Sequence, residues 1–332
     1  MDRDTVGKCL AVGVAALLVA FSGSFGAASA QSDTAIIASA PAGNSAKYWT
    51  SDKMKAAVPM EMVRPGGPIV PETVPQPTGA PGIAGGSKPG QPGSQGLKLV
   101  PQSLLDESIR ELALPISEPP VPADGPYPGP NDTFEYAPKY RKYPISTVGK
   151  LFFTEPGVGD FVCSAAVTTG GSAQNVIWTA GHCVANGGHA TFFTNWLFCP
   201  SYDAAQGGPN PAVGCWGAAI VTTTAQWFND GAFTRDYATI ALQHSGTVVN
   251  ADVATVTGGL GFAWNFPRDQ HWIHLGYPAA SPYTGGVIIE TAAEHRYDDT
   301  PDSEGPPTNS WGSAHTGGSS GSAVILFFSY NG

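Results

Sequence analysis

Three short stretches carry side chains that could do chemistry together: Thr179-Ala180-Gly181-His182-Cys183, then Arg235-Asp236-Tyr237-Ala238, then Gly317-Gly318-Ser319-Ser320-Gly321-Ser322. They offer an imidazole, a carboxylate and a hydroxyl, in that order. A serine hydroxyl is a weak nucleophile at neutral pH until an imidazole takes its proton, and that imidazole needs a carboxylate to fix its tautomer and stabilise its charged form. The chemistry implied is nucleophilic acyl transfer.

Such groups must be held by a rigid frame, and the composition indicates which kind. Charged residues make up 13% of the 332 residues, with 42 glycines and 30 prolines, against about 25% charged in an ordinary globular domain. Many turn formers and few charges fit short strands better than charged amphipathic helices. Strands are predicted at Phe161 to Thr168, Val176 to Thr179, Thr191 to Thr194, Ala218 to Thr224, Tyr237 to Leu242, Trp272 to Leu275, Val287 to Thr291 and Ala323 to Phe328. Regularly spaced short strands predict an all-β sandwich or barrel from about Tyr143 onward. A net charge of −10 and a pI near 5.0 speak against a nucleic-acid or anionic-membrane partner.

His182 follows the apolar run Val176-Ile177-Trp178-Thr179 and precedes Cys183, so a disulfide there would pin it at the end of a buried element. Asp236 heads the strand-like run Tyr237 to Leu242, whereas the competing Asp230 lies in Asn229-Asp230-Gly231, a strong turn signal. Ser319 also satisfies G-x-S-x-G through Gly317 and Gly321, but an α/β-hydrolase would need Asp and His after that serine. The eleven residues after Gly321 contain none of Asp, Glu or His.

The N-terminus carries Arg3 and Lys8, an apolar run from Cys9 to about Phe21, and Ala28-Ser29-Ala30. This order of charged, apolar and small residues predicts a secretory signal peptide over residues 1–30, with a short membrane anchor as the alternative. Cys9 would leave with it. Cys163, Cys183, Cys199 and Cys215 remain, an even set that in an exported chain indicates two disulfides. Three pairings are open, and sequence neighbours favour Cys163 with Cys183 and Cys199 with Cys215. No cysteine or histidine spacing points to a metal site, and no cofactor is expected. Residues 31–142 read as a propeptide or linker: seventeen prolines fall between Pro59 and Pro130, and such a segment is expected to be largely disordered. Ser103 to Leu112 is a helix-like island within it, and Asn131-Asp132-Thr133 is the one N-x-[ST] sequon.

The string Thr179-Ala180-Gly181-His182-Cys183 resembles that of the chymotrypsin-like serine peptidases. In that family the triad also runs His, Asp, Ser. The resemblance extends through Val148-Gly149-Lys150-Leu151-Phe152-Phe153, Cys163-Ser164-Ala165, Leu275-Gly276-Tyr277-Pro278-Ala279-Ala280 and Thr316 to Ser322, and is nearest to V8-like glutamyl endopeptidases and related bacterial secreted trypsin-like peptidases. It implies His182 as general base, Asp236 as its orienter and Ser320, with glycine two before and one after, as nucleophile. It implies an oxyanion hole from the Gly318 and Ser320 N–H groups, and the Cys163 to Cys183 disulfide. It also implies two perpendicular β-barrels over residues 143–332 with the site in the cleft between them. Two departures stand out: Ser319 occupies the place where trypsin has an aspartate, and the chain runs only 12 residues past Ser320. The second barrel is therefore expected to be incomplete, and the domain C-terminally truncated. His315 is expected to be a solvated loop residue, and His189, His244, His271, His274 and His295 to be structural.

The resulting expectation is a secreted, monomeric serine endopeptidase made as a precursor, with a polypeptide substrate and with Arg141-Lys142 as a possible processing point. The competing reading is a catalytically inactive, peptidase-like binding or cell-surface protein.

Overall fold

The computed structural model describes residues 34–40, 45–62, 77, 79–90, 97–99, 132–136, 142–169, 174–268, 270–299 and 308–326. The signal-like stretch, the Ser103 to Leu112 island, Asn131 and Arg141 lie outside the described residues.

The early strands are β1 (Ala35–Ser39), β2 (Val58–Pro59), β3 (Gly82–Ser87), β4 (Leu97–Leu99) and β5 (Asp132–Tyr136). Next come β6 (Val148–Glu155), β7 (Gly159–Thr168), β8 (Val176–Thr179), β9 (Ala185–Asn186), β10 (Thr191–Phe192), β11 (Thr194–Pro200), β12 (Trp216–Thr224) and β13 (Ala238–Leu242). The last are β14 (Gly259–Trp264), β15 (His271–Gly276), β16 (Ile288–Asp299), β17 (Thr308–Trp311) and β18 (Ala323–Ile325). The described helices are short: α1 (Ser45–Tyr48), α2 (Ser51–Ala56) and α3 (Val253–Thr257), besides single 3-10 and π turns. Among the described residues no helix is long and apolar enough to cross a membrane.

Strands β7, β6, β11, β12, β13 and β8 are hydrogen-bonded in that order, and β8 pairs back onto β7, so six strands close a barrel. A second sheet runs β17, β16, β15, β18, with β5 added on β16. It stays open among the described residues.

Strands β6 and β7 explain why the two sheets hold together. Successive side chains of a strand point to opposite faces. Leu151, Phe153, Cys163, Ala165 and Val167 fill the barrel with Ile177, Trp216, Val221 and Ile240. Their neighbours Val148, Phe152, Val162 and Ala166 face outward into a second core with Leu275, Tyr277 and Ile288. Both faces of β6 are therefore buried. Its sequence Val148-Gly149-Lys150-Leu151-Phe152-Phe153 shows no alternation, and strand prediction passed it over. Lys150 is buried here, its Nζ donating to the Gly285 carbonyl at 2.9 Å above the Phe152 and Tyr202 rings. Burial lowers its pKa to about 8.

Part of the stretch read as a disordered arm is built onto this frame. β1 pairs antiparallel with β12, from Ala35 against Thr224 to Ser39 against Ile220, and β3 pairs with β14. Trp49 and Met54 are buried in the second core. Here a few apolar anchors, spaced among prolines, find grooves already shaped by the barrel; composition averaged over the arm hides them.

Candidate active site

His182 sits in the 3-10 turn Gly181–Cys183 that leaves β8. Cys183 is joined to Cys163 on β7, so the turn is crosslinked to the barrel wall. A second disulfide joins Cys199 to Cys215. Loops of 20 and 16 residues correspond to about 3 kcal/mol each in loop-closure entropy. Asp236 follows the turn Phe233–Arg235 just before β13, and β13 lies beside β8 with Ala238 opposite Thr179. That pairing delivers the carboxylate to the histidine. Asp236 Oδ2 accepts from His182 Nδ1 at 2.6 Å, and Oδ1 accepts from the His182 backbone N–H at 2.7 Å. With Nδ1 donating to a carboxylate, Nε2 keeps its lone pair.

Gly181 makes the close approach possible. A Cβ there would lie 2.9 Å from Asp236 Oδ1 and 2.7 Å from Trp227 Cδ1. Trp227 is 1% exposed, stands edge-on to the His182 ring at 6.3 Å between centroids and donates from Nε1 to the Ala185 carbonyl. It closes the apolar side of the imidazole. Sequence reading missed it: Asn229-Asp230-Gly231 marks the end of the turn Gln226–Asp230 that presents it, but no local pattern points Trp227 at His182. Asp230 ends that turn in an exposed position, away from the histidine.

The Gly317 to Ser322 loop docks on the same wall. Ser164, next to Cys163 on β7, donates its backbone N–H to the Ser320 carbonyl at 2.8 Å. Its Oγ donates to the Gly318 carbonyl at 3.0 Å and accepts from the Tyr277 N–H at 2.8 Å. Gly318 and Gly321 adopt φ of 93° and 78°, a left-handed region that favours glycine. At Gly321 a Cβ would also collide with Thr179 Oγ1 and lie 2.5 Å from the Ser164 carbonyl and 2.7 Å from the Ala180 nitrogen. The loop is thus pressed against the strand end that leads into His182.

Three hydroxyls compete in this loop. Ser319 Oγ donates to the Thr316 carbonyl and Ser322 Oγ to the Ser319 carbonyl. Ser320 Oγ forms no hydrogen bond to a described residue, and the buried His182 Nε2 has no partner either. The structure brings His182 and Asp236 into direct contact and places the Ser320 backbone 3.7 Å from the Cys183 sulfur, without joining the serine hydroxyl to the imidazole. Catalytic hydrogen bonds often form only when substrate is bound.

The Gly317 carbonyl accepts from Ala279 N–H at 2.7 Å and Ala280 N–H at 3.1 Å. A trans peptide points its N–H opposite to its C=O, so this pair turns the Gly318 N–H away from Ala279 and Ala280. The Leu275 to Ala280 string acts here, by orienting a donor.

His315 differs from expectation. It is part-buried, with both ring nitrogens shielded from solvent, and stacked on His274, with ring centroids 3.9 Å apart, and His274 Nδ1 bonds Ser313 Oγ beside the Trp311 ring. Burial lowers the His315 pKa to about 4, the Ile289 backbone opposing the shift. Burial, then the neighbouring His315, lowers that of His274 well below the ordinary value. The tertiary pairing of β15 puts an aromatic partner there in place of solvent. The one Cys/His cluster of metal-site geometry among the described residues is Cys163, His182 and Cys183, and its sulfurs are committed to a disulfide.

No protein-family model matches the chain, and no curated protein does. Among solved structures it is similar to the thermostable serine protease AL20 from an extremophilic microorganism, at 34% identity over 56% of this chain and 80% of that one, TM-score 0.48. It is also similar to the protease Anisep from Arthrobacter nicotinovorans, at 29% identity over 55% and 78%, TM-score 0.45. A Glu endopeptidase solved in complex with MPD matches at 20% identity over 59% and 80%, TM-score 0.44. By its identity to AL20 over most of that protein's length, the chain belongs to the chymotrypsin-like serine protease family.

Proposed function

We propose that the protein is an exported serine endopeptidase, made as a precursor and acting on polypeptides as a monomer. The observation that carries this reading is the doubly bonded Asp236 carboxylate on His182, beside a loop in which the Ser319 and Ser322 hydroxyls are engaged and that of Ser320 has no partner among the described residues. Ser320 Oγ attacks the scissile carbonyl carbon while its proton passes to His182 Nε2, and the carbonyl electron pair moves onto oxygen. Asp236 stabilises the imidazolium without taking the proton. The N–H groups of Gly318 and Ser320 receive the oxyanion. Collapse breaks the C–N bond, the amine leaves with the proton from Nε2, and water repeats the sequence on the acyl-enzyme to restore Ser320. Export is supported by the signal-like N-terminus and the two disulfides. The same disulfides also fit a secreted protein without activity, so the chemistry needs its own test.

A fluorophosphonate probe, which phosphonylates an activated serine, provides it. Labelling of the chain that disappears in Ser320→Ala is the expected result. Labelling that persists in Ser320→Ala, or that is absent from every form of the protein, would instead favour the inactive, peptidase-like reading.

A further inference from the structure

The segment from Tyr48 to Met62 lies on the candidate site itself. The Gly318 N–H, turned away from Ala279 and Ala280, donates to the Met60 carbonyl at 3.4 Å. The Met60 N–H donates in turn to the Val162 carbonyl at 3.0 Å, continuing the parallel pairing of Val58 with Phe161 and Pro59 with Val162. Glu61 packs over Gly317, where a Cβ would overlap its side chain. A backbone carbonyl from outside the barrel thus takes one of the two donors that a substrate oxyanion would need.

The approach is anchored, not incidental. Trp49 is 4% exposed, packs on Phe152 with ring centroids 5.2 Å apart and donates from Nε1 to the Asn195 carbonyl at 2.6 Å. Tyr48 donates from its hydroxyl to Asp160 Oδ1 at 2.7 Å, and Thr50 caps α2 by accepting from the Lys53 N–H. From this anchor α2 spans the few residues to Val58, so the position of Met60 follows from the seat of Trp49. Within the segment the end that meets the site is held by the Met60 backbone, by the Met60 side chain at the margin of the barrel core and by Glu61 over Gly317, and Val58 is half exposed.

Resting on the peptidase reading above, we infer that Tyr48 to Met62 is a built-in inhibitor of this chain: Trp49 docks it, and the Met60 carbonyl occupies the oxyanion donor at Gly318. Activation then requires that the segment leave, and a cut between Met62 and the barrel does not suffice while Trp49 stays seated. Once bound substrate competes for Gly318, the segment sets the threshold through its anchor, since one hydrogen bond of 3.4 Å ties the Met60 carbonyl to that donor.

Two variants of the full chain test this. Met60→Pro removes the N–H given to Val162 together with the side chain that packs at the margin of the barrel core; Trp49→Ala removes the anchor. Each should raise the fluorophosphonate labelling rate at least ten-fold and speed amide exchange at Gly318 to a similar extent, with the Tyr277 amide unchanged as a control on loop packing. Wild-type chain that labels as fast as both variants, with Gly318 exchange unaltered, overturns the inference while leaving the peptidase reading in place. If no form labels, the peptidase reading fails, and Gly318 exchange still decides whether the segment covers that donor: unchanged exchange in Met60→Pro overturns the cover, faster exchange upholds it.

Discussion

The two halves of the candidate site are built differently. His182 and Asp236 belong to the closed barrel: adjacent strands β8 and β13 carry them, a disulfide pins the turn, and their side chains are 7% and 15% exposed. The loop of Ser320 belongs to the open sheet and is shaped from outside, by the Ser164 hydroxyl, by Ala279 and Ala280, and by Met60. A base needs one fixed rotamer, which a barrel end supplies. An oxyanion loop must turn several N–H groups one way, and its own glycines cannot enforce that direction. The difference teaches that in this chain orientation of the base is local, whereas orientation of the donor peptide is imported.

The sharpest way to break the contrast is at the base. Asp236→Asn keeps the volume but removes the charge that two donors share, and should reduce turnover about 10⁴-fold, read as kcat on a peptide substrate with the fold unchanged by circular dichroism. A smaller effect should come from acid. His315 titrates at about 4 in the fold against about 6.5 unfolded, so the unfolded chain binds the extra proton first and stability falls as pH drops from about 6.5 to 4. The loss is on the order of 3 kcal/mol and should appear as a falling Tm, flattened in His315→Gln. The open half, which holds His315 and His274, is expected to loosen before the barrel. Smallest is Ser164→Ala, which strands the Tyr277 N–H and frees the Gly318 carbonyl at a cost of about 1–3 kcal/mol. It should slow acylation while leaving the low-field proton resonance of the His182–Asp236 pair in place. A lost resonance would mean that the two halves are not separable.

The sequence made the base half readable because its residues lie inside short strings at strand ends, where Val176 to Thr179 and Tyr237 to Leu242 announce β structure by composition alone. The strand pairing followed that pattern closely. The imported half was not readable. Ser164 touches Gly318 across 154 positions and Trp49 touches Asn195 across 146; no local period encodes such contacts. β6 escaped because burial on both faces erased its alternation, and Trp227 because its contact with the His182 ring spans distant positions of the chain. His315 was misjudged for a related reason, as its stacking partner His274 is 39 to 41 positions away along the chain from the Ser313 to His315 stretch.

Three consecutive residues of β7 each hold a different part of this machine: the Val162 carbonyl receives Met60, Cys163 ties down the histidine turn, and Ser164 seats the serine loop. A slip of one residue in that strand would reverse which faces these groups present. Covering segment, crosslink and loop would be lost together, so an insertion between Phe161 and Ala165 has no partial outcome, whereas one in the exposed turn after Glu155 leaves all three untouched.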